Sequence, residues 1–241
     1  MLKRFRIVGL CVVAVVAITV VGAASASAAL PEFKLTGTAT FAGVSKTGVK
    51  DVLETVKGET VECNKDKSKG EITSGKAGAL KKVKVLFEEC SGPLGSECGN
   101  VSSKNIETNE LEGTLVYAAS AKSTVLLLLN SVGTRFAKYE CLGLFGIKST
   151  FEIRGKRSGE KEGLLGQIPS ADLNKVITTF ELVFKQSNGV QQFTEYFNGT
   201  TQVTGVNLEC EASGAVSFAF EQCALQKEDE LTFGAGVELK A

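Results

Sequence analysis

The sequence predicts an all-β protein, an antiparallel β-sandwich or barrel-like fold closed by disulfides, and three observations carry that expectation. Short runs rich in Val, Ile, Thr and Phe alternate apolar with polar residues between Gly, Asn, Ser and Lys. No window of a dozen residues keeps a clean 3.6-residue apolar period, with residues 118–129 the nearest exception. Six cysteines remain once the first 28 residues are set aside, and an even set reads as bridges in an exported chain.

The first 28 residues read as a signal-peptide helix. Lys3, Arg4 and Arg6 form a positive segment, residues 7–21 are nearly unbroken apolar, and Ala26 and Ala28 supply an Ala-x-Ala cleavage site before Ala29. The apolar run is shorter than the roughly 20 residues of a spanning helix, so cleavage is expected and no stable transmembrane segment after it. Cys11 follows Leu10 early in this stretch and is removed with it.

Cleavage leaves 213 residues, enough to bury about 70% of the unfolded chain's surface. Without Lys3, Arg4 and Arg6 the 27 basic residues fall to 24 against 27 acidic ones, a net charge of −3. An evenly mixed, slightly acidic chain gives no electrostatic reason to expect nucleic acid, which would call for a basic face. The expected setting is secreted or extracytoplasmic, at the cell surface or in the medium, with an unidentified extracellular or cell-envelope partner.

Strands are expected over 34–41, 60–63, 70–73, 83–87, 113–117, 124–129, 136–141, 150–154, 177–185, 191–197, 203–210, 216–220 and 230–239. Val83, Val85 and Phe87 share one face of their run, and Val216, Phe218 and Phe220 share one face of theirs. Tyr117 and residues 125–129 flank a polar hexamer, which reads as a hairpin with a buried second strand. Residues 154–173, with glycines, charges and Pro169, are the candidate connection between a first β unit at 29–153 and a second at 174–241. The two units are expected to be related, because Val61-Glu62-Cys63 followed by Phe87-Glu88-Glu89-Cys90 is echoed by Leu208-Glu209-Cys210 followed by Phe220-Glu221-Gln222-Cys223.

The disulfide candidates are Cys63, Cys90, Cys98, Cys141, Cys210 and Cys223. One scheme closes the turn-rich loop at 91–97 through Cys90 and Cys98 and leaves Cys63 for Cys141; the other joins Cys63 to Cys90 and Cys98 to Cys141. Both leave Cys210 for Cys223. Zinc ligation is disfavoured, since the chain has no histidine and no Cys-x-x-Cys.

Further motifs run through the chain. Ala29-Leu30-Pro31-Glu32-Phe33, Cys63 followed by Gly70-Glu71-Ile72-Thr73, and Phe87 to Cys90 with Cys98 stand in its first half, and Ile106-Glu107-Thr108-Asn109-Glu110-Leu111-Glu112-Gly113-Thr114-Leu115 and the closing Val237-Glu238-Leu239-Lys240-Ala241 follow. In these the chain resembles an actinobacterial family of secreted, cysteine-containing β proteins of unknown function. The resemblance implies an exported β protein whose first four cysteines are shared and whose Cys210 and Cys223 are an added pair. It supplies no activity, cofactor or site residues.

Motifs with chemical meaning lose to plainer readings. Gly70-Glu71-Ile72-Thr73-Ser74-Gly75-Lys76-Ala77 lacks the hydroxyl that ends a phosphate-binding loop and reads as a hairpin turn. Ser158-Gly159-Glu160-Lys161, Ser103-Lys104-Asn105 and Lys46-Thr47-Gly48 resemble the serine acyl-enzyme set but in reversed order. The lack of histidine removes Ser-His-Asp and Cys-His arrangements. Glu88-Glu89 and Glu228-Asp229-Glu230 are the obvious acidic clusters, read as solvated strand ends because neighbouring strand residues face opposite ways. Tyr196-Phe197 beside Asn198-Gly199 reads as core rather than a ligand patch. The sequons Asn100-Val101-Ser102 and Asn198-Gly199-Thr200 carry meaning only in a glycosylating host, and no aspartate-rich calcium loop occurs. No catalytic, cofactor-binding or metal site is expected. The expectation is a non-enzymatic binding or structural module; the alternatives are a secreted carboxylate-dependent hydrolase and a barrel carrying a small apolar ligand.

Overall fold

A computed structural model describes residues 29–75, 80–100, 103–119, 123–143, 146–155 and 163–241. The signal segment, Ser158 to Lys161 and the end of the Gly70 to Ala77 motif lie outside the described residues. The chain is all-β and antiparallel.

Its strands are β1 (Glu32–Ser45), β2 (Asp51–Thr55), β3 (Thr60–Gly75), β4 (Leu80–Ser91), β5 (Glu97–Gly99), β6 (Ile106–Glu107), β7 (Leu111–Tyr117), β8 (Val125–Ser131) and β9 (Ala137–Leu142). There follow β10 (Lys148–Gly155), β11 (Leu164–Ile168), β12 (Val176–Phe184), β13 (Gln186–Ser187), β14 (Val190–Gln191), β15 (Glu195–Asn198), β16 (Thr201–Thr204), β17 (Leu208–Gly214) and β18 (Phe218–Lys240).

The pairings close two rings. β1, β3, β4, β7, β8, β11, β12 and β18 form the first, each bonded to the next and β18 back to β1. β2, β3, β4, β5, β9, β10, β17 and β18 form the second, closed by β18 on β2. Closure removes the exposed edges of an open sheet, and eight strands enclose a space that side chains can fill. The rings share β3, β4 and β18. That sharing explains the lengths of these strands: β18 runs 23 residues without a proline, pairing with β17 and β2 in its first part and with β12 and β1 in its second.

The first ring is filled by Phe33, Ile72, Leu115, Leu127, Phe184 and Leu239 among others, the second by Val61, Ile106, Tyr139, Phe151 and four of the half-cystines. Tyr139 and Phe151 stack at 5.4 Å. The leucine run forms a hairpin strand as expected, with Tyr117 opposite Val125. Both faces of β8 are buried: Leu127 and Leu129 point into the ring, while Leu126 and Leu128 pack outside it beneath Tyr196 and Val206. In β1 the pairing slips around Gly37, whose φ of 79° suits a glycine and lets the strand bend while closing the ring.

Cys63 is bonded to Cys90, Cys98 to Cys141 and Cys210 to Cys223. Of the two schemes left open by the sequence, the structure takes the one without a Cys90 to Cys98 bridge. The reason is register: Cys63 stands opposite Cys90 on β3 and β4, and Cys98 opposite Cys141 on β5 and β9.

Candidate functional site

Where the two rings meet, a group of charged side chains sits inside the core. β1 ends at Ser45 and β2 begins at Asp51, both lying between β3 and β18, and the chain leaves the sheet over the five residues between them. On β3 the residues facing inward at this break are Asp66 and Ser68, because Lys65, Lys67 and Lys69 alternate outward. On β18 the inward face reads Lys227, Asp229, Leu231, Phe233. Asp51 joins them from the first position of β2. Asp51, Asp66 and Asp229 are 2% exposed and Lys227 is 3% exposed.

Lys227 Nζ donates to Asp66 Oδ2 and lies 2.7 Å from Asp229 Oδ1. Its ammonium is also 5.3 Å from the centre of the Phe87 ring. One carboxylate oxygen from each of Asp51, Asp66 and Asp229 lies within 4.8 Å of the others. Ser45 Oγ accepts from the Asp66 backbone N–H. Neither oxygen of Asp51 has a donor, nor has Asp66 Oδ1. Asp51 faces Asp66 and Asp229 across less than 4.8 Å, so a proton held by one of the acids is the donor such a group lacks.

The electrostatics agree with that requirement. Burial pushes the Asp51 carboxyl up to about 8, against the pull of Lys227, and the charges of Asp66 and Asp229 push the same way as burial. Burial likewise lifts Asp229 to about 7, again opposed by Lys227. Burial alone would lower Lys227, but the carboxylates of Asp229, Asp66 and Asp51 outweigh it and its pKa rises. Three acids around one ammonium are two negative charges in excess when all are ionised, a costly arrangement away from water.

Beside the cluster is an apolar cavity of about 80 Å³, lined by Asp51 and Lys227 and by Val85, Phe87, Ile106 and Leu129 among others. An engineered cavity that binds benzene is about 150 Å³. The three acids could in composition hold a metal ion, but the Lys227 ammonium stands among them.

The remaining candidates fall elsewhere. Of Glu228-Asp229-Glu230, only Glu228 and Glu230 lie on the outer face; the reading of the trio as solvated strand ends is corrected at Asp229, which alternation turns inward. Glu88 pairs with Lys67 at 3.0 Å and Glu89 with Lys65 at 3.1 Å on the outer surface. Tyr196 is fully buried. Lys46 follows β1 and pairs with Glu181, and Lys104 pairs with Glu97. Residues 70–75 of the near-miss phosphate loop are the end of β3.

Sequence reasoning missed Asp51, Asp66 and Lys227. The signal that finds two of them is the alternation Lys65, Lys67, Lys69 outside Asp66 and Ser68, and the apolar period of β18 continued backward from Phe233 and Leu231 through Asp229 to Lys227. Comparison with protein-family models, with curated proteins and with solved structures finds no match to this chain.

Proposed function

We propose that this chain works outside the cytoplasm as a non-enzymatic module of the cell envelope or the secreted fraction, with a structural or binding role. The observation that carries the reading is the direction of its converging carboxyls: Asp51, Asp66 and Asp229 face a closed interior and an ammonium, at 2% exposure, rather than a cleft. A glycoside hydrolase must bring a sugar and a water between its two carboxyls, roughly 5 to 9.5 Å apart. These three lie closer together and away from solvent. Three disulfides fit an oxidising compartment. Among the described residues no helix is long and apolar enough to cross a membrane.

The test is fractionation of cells expressing the full chain into medium, wall, membrane and cytoplasm, with N-terminal mass analysis and thiol alkylation of the purified protein. The expected outcome is recovery outside the cytoplasm with a first residue near Ala29 and no reactive thiol. Recovery in the cytoplasm with residues 1–28 attached and six alkylatable cysteines overturns it.

A second reading, a carrier of a small apolar ligand, is favoured by the cavity beside Lys227. At about half the size of a benzene site it admits only a few heavy atoms unless the rings part. A rise in unfolding temperature with benzene or xenon supports the carrier, and no shift leaves the module.

A further inference from the structure

Asp66 and Lys227 stand on β3 and β18, strands that the backbone ladder does not join at this point. Elsewhere β1 or β2 lies between them and bonds to both; at the break between Ser45 and Asp51 neither does. The side chains bridge the gap, 161 residues apart in sequence. The Lys227 ammonium stands over the Phe87 ring, both partners are buried, and two further carboxyls, Asp51 and Asp229, stand within 4.8 Å of Asp66.

A buried amine against a buried carboxyl, with a second carboxyl to carry protons, is the constellation that amide formation needs. We propose that Lys227 Nζ and Asp66 Cγ become joined by an intramolecular isopeptide bond once the chain has folded, with Asp51 as the proton carrier.

The step balances without a co-reactant. Proton transfer within the Lys227–Asp66 contact converts ammonium and carboxylate into amine and carboxylic acid, the neutral pair that a water-poor interior favours. The Nζ lone pair attacks Cγ to form the new C–N bond. Asp51, protonated, donates to an oxygen of Asp66 as that C–O bond weakens. The hydroxyl leaves as water, and the surplus proton on nitrogen returns to Asp51. One amide and one water replace one amine and one acid, and nothing is oxidised or reduced.

Three features of the fold serve this step. Packing holds amine and acid in contact, replacing an improbable encounter with a fixed one. The raised pKa of Asp51 keeps its proton available near neutral pH. The cavity touching both Asp51 and Lys227 is larger than a water molecule requires, and its apolar walls hold no water back.

The experiment is intact-mass measurement of the purified full chain after reduction, alkylation and denaturation, followed by tryptic mapping. The expected mass is about 18 Da below that of the sequence from the observed N-terminus, the loss of one water. Trypsin should fail to cut after Lys227, and the fragment containing Asp66 should remain attached through that side chain. K227R and D66A should both restore the full mass. D66N should give the same final mass as the parent, because an amide carboxamide loses ammonia where the acid loses water, so the bond is testable even where D66A does not fold. D51N, checked for its three disulfides, should cross-link about a hundredfold more slowly. A parent chain of full sequence mass with a cleavable Lys227 overturns the proposal, and so does a cross-link mapped to Asp229.

Discussion

Cys98 on β5 stands opposite Cys141 on β9 and is bonded to it, at the place where the second ring is most weakly closed by backbone. β5 is three residues long and meets β4 through the single pair Ser91 and Glu97. Two bridges brace this corner, since Cys63 and Cys90 tie β3 to β4 a few residues away. By contrast Cys210 is bonded diagonally to Cys223, whose register partner is Leu208, on strands that already share several pairs.

The bridges should therefore differ in worth. Chain entropy assigns about 4 kcal/mol to Cys98–Cys141, with a sequence separation of 43, and about 3 kcal/mol to Cys210–Cys223, with a separation of 13. The C98S/C141S double variant should lose more stability in urea than C210S/C223S, and should exchange amide protons fastest at residues 97–99. The reverse order would mean that β5 does not depend on its bridge.

Stability should fall as pH rises from about 4 to about 8. Asp51 and Asp229 start from 3.8 in the unfolded chain, and burial lifts them to about 8 and about 7. Between those limits the folded chain keeps protons that the unfolded chain has released. Unfolding is then favoured by each rise in pH, by up to about 1.4 kcal/mol per unit for each group, and the effect ends once pH passes the folded values. Cross-linking Lys227 removes the charge that opposes the upward shifts, so the direction is the same with or without that bond. Urea midpoints across this range should show the slope, and D51N should flatten its upper part. A midpoint that climbs toward pH 8 would contradict the burial of these acids.

The strands were legible where period-two alternation used apolar residues, as in Val83 to Phe87 and the leucine hairpin. They were not legible where the inward residue is itself charged. Residues 64–69 contain three lysines and an aspartate, which on composition is a turn, yet they continue β3 without interruption. Tertiary closure of two rings overrides local preference there, because leaving this stretch out would strand the backbone groups of β1 and β4. β2 and β11 escaped notice for a related reason: five residues each, they make sense only beside the long strands they pair with. Cysteine parity was readable, whereas the choice between pairings waited on register.

Gly43 should be intolerant of any side chain. It lies on β1 opposite Ser68 and Leu231, and a Cβ there would run into Ser68 Oγ and the Leu231 side chain. Overpacking of this kind costs about 1 to 3 kcal/mol. G43A should lower the urea midpoint accordingly. Adding S68A should recover part of the loss, since Ser68 Oγ has no hydrogen-bond partner to sacrifice and the two sites are in contact. Full additivity of the two losses would show that the clash is relieved by backbone movement instead.

Gln191 fills the second break beside β18. β17 pairs with this strand as far as Cys223 and β12 takes over at Lys227, so the backbone of Leu225 has no strand partner on that side. The buried Gln191 side chain takes the place of one: its Nε2 donates to the Leu225 carbonyl at 3.1 Å and its Oε1 accepts from the Leu225 N–H at 3.0 Å. The tight hairpin of β13 and β14, turning through Asn188 and Gly189 at positive φ, delivers it there. Q191A would strand both groups of Leu225 in the interior, at about 1 to 3 kcal/mol for each buried group left unpaired. The expected result is a fall of about 2 kcal/mol or more, with loss of hydrogen-exchange protection at Leu225 and retention at Leu231. Unchanged protection at Leu225 would show that water or a neighbouring strand replaces the amide.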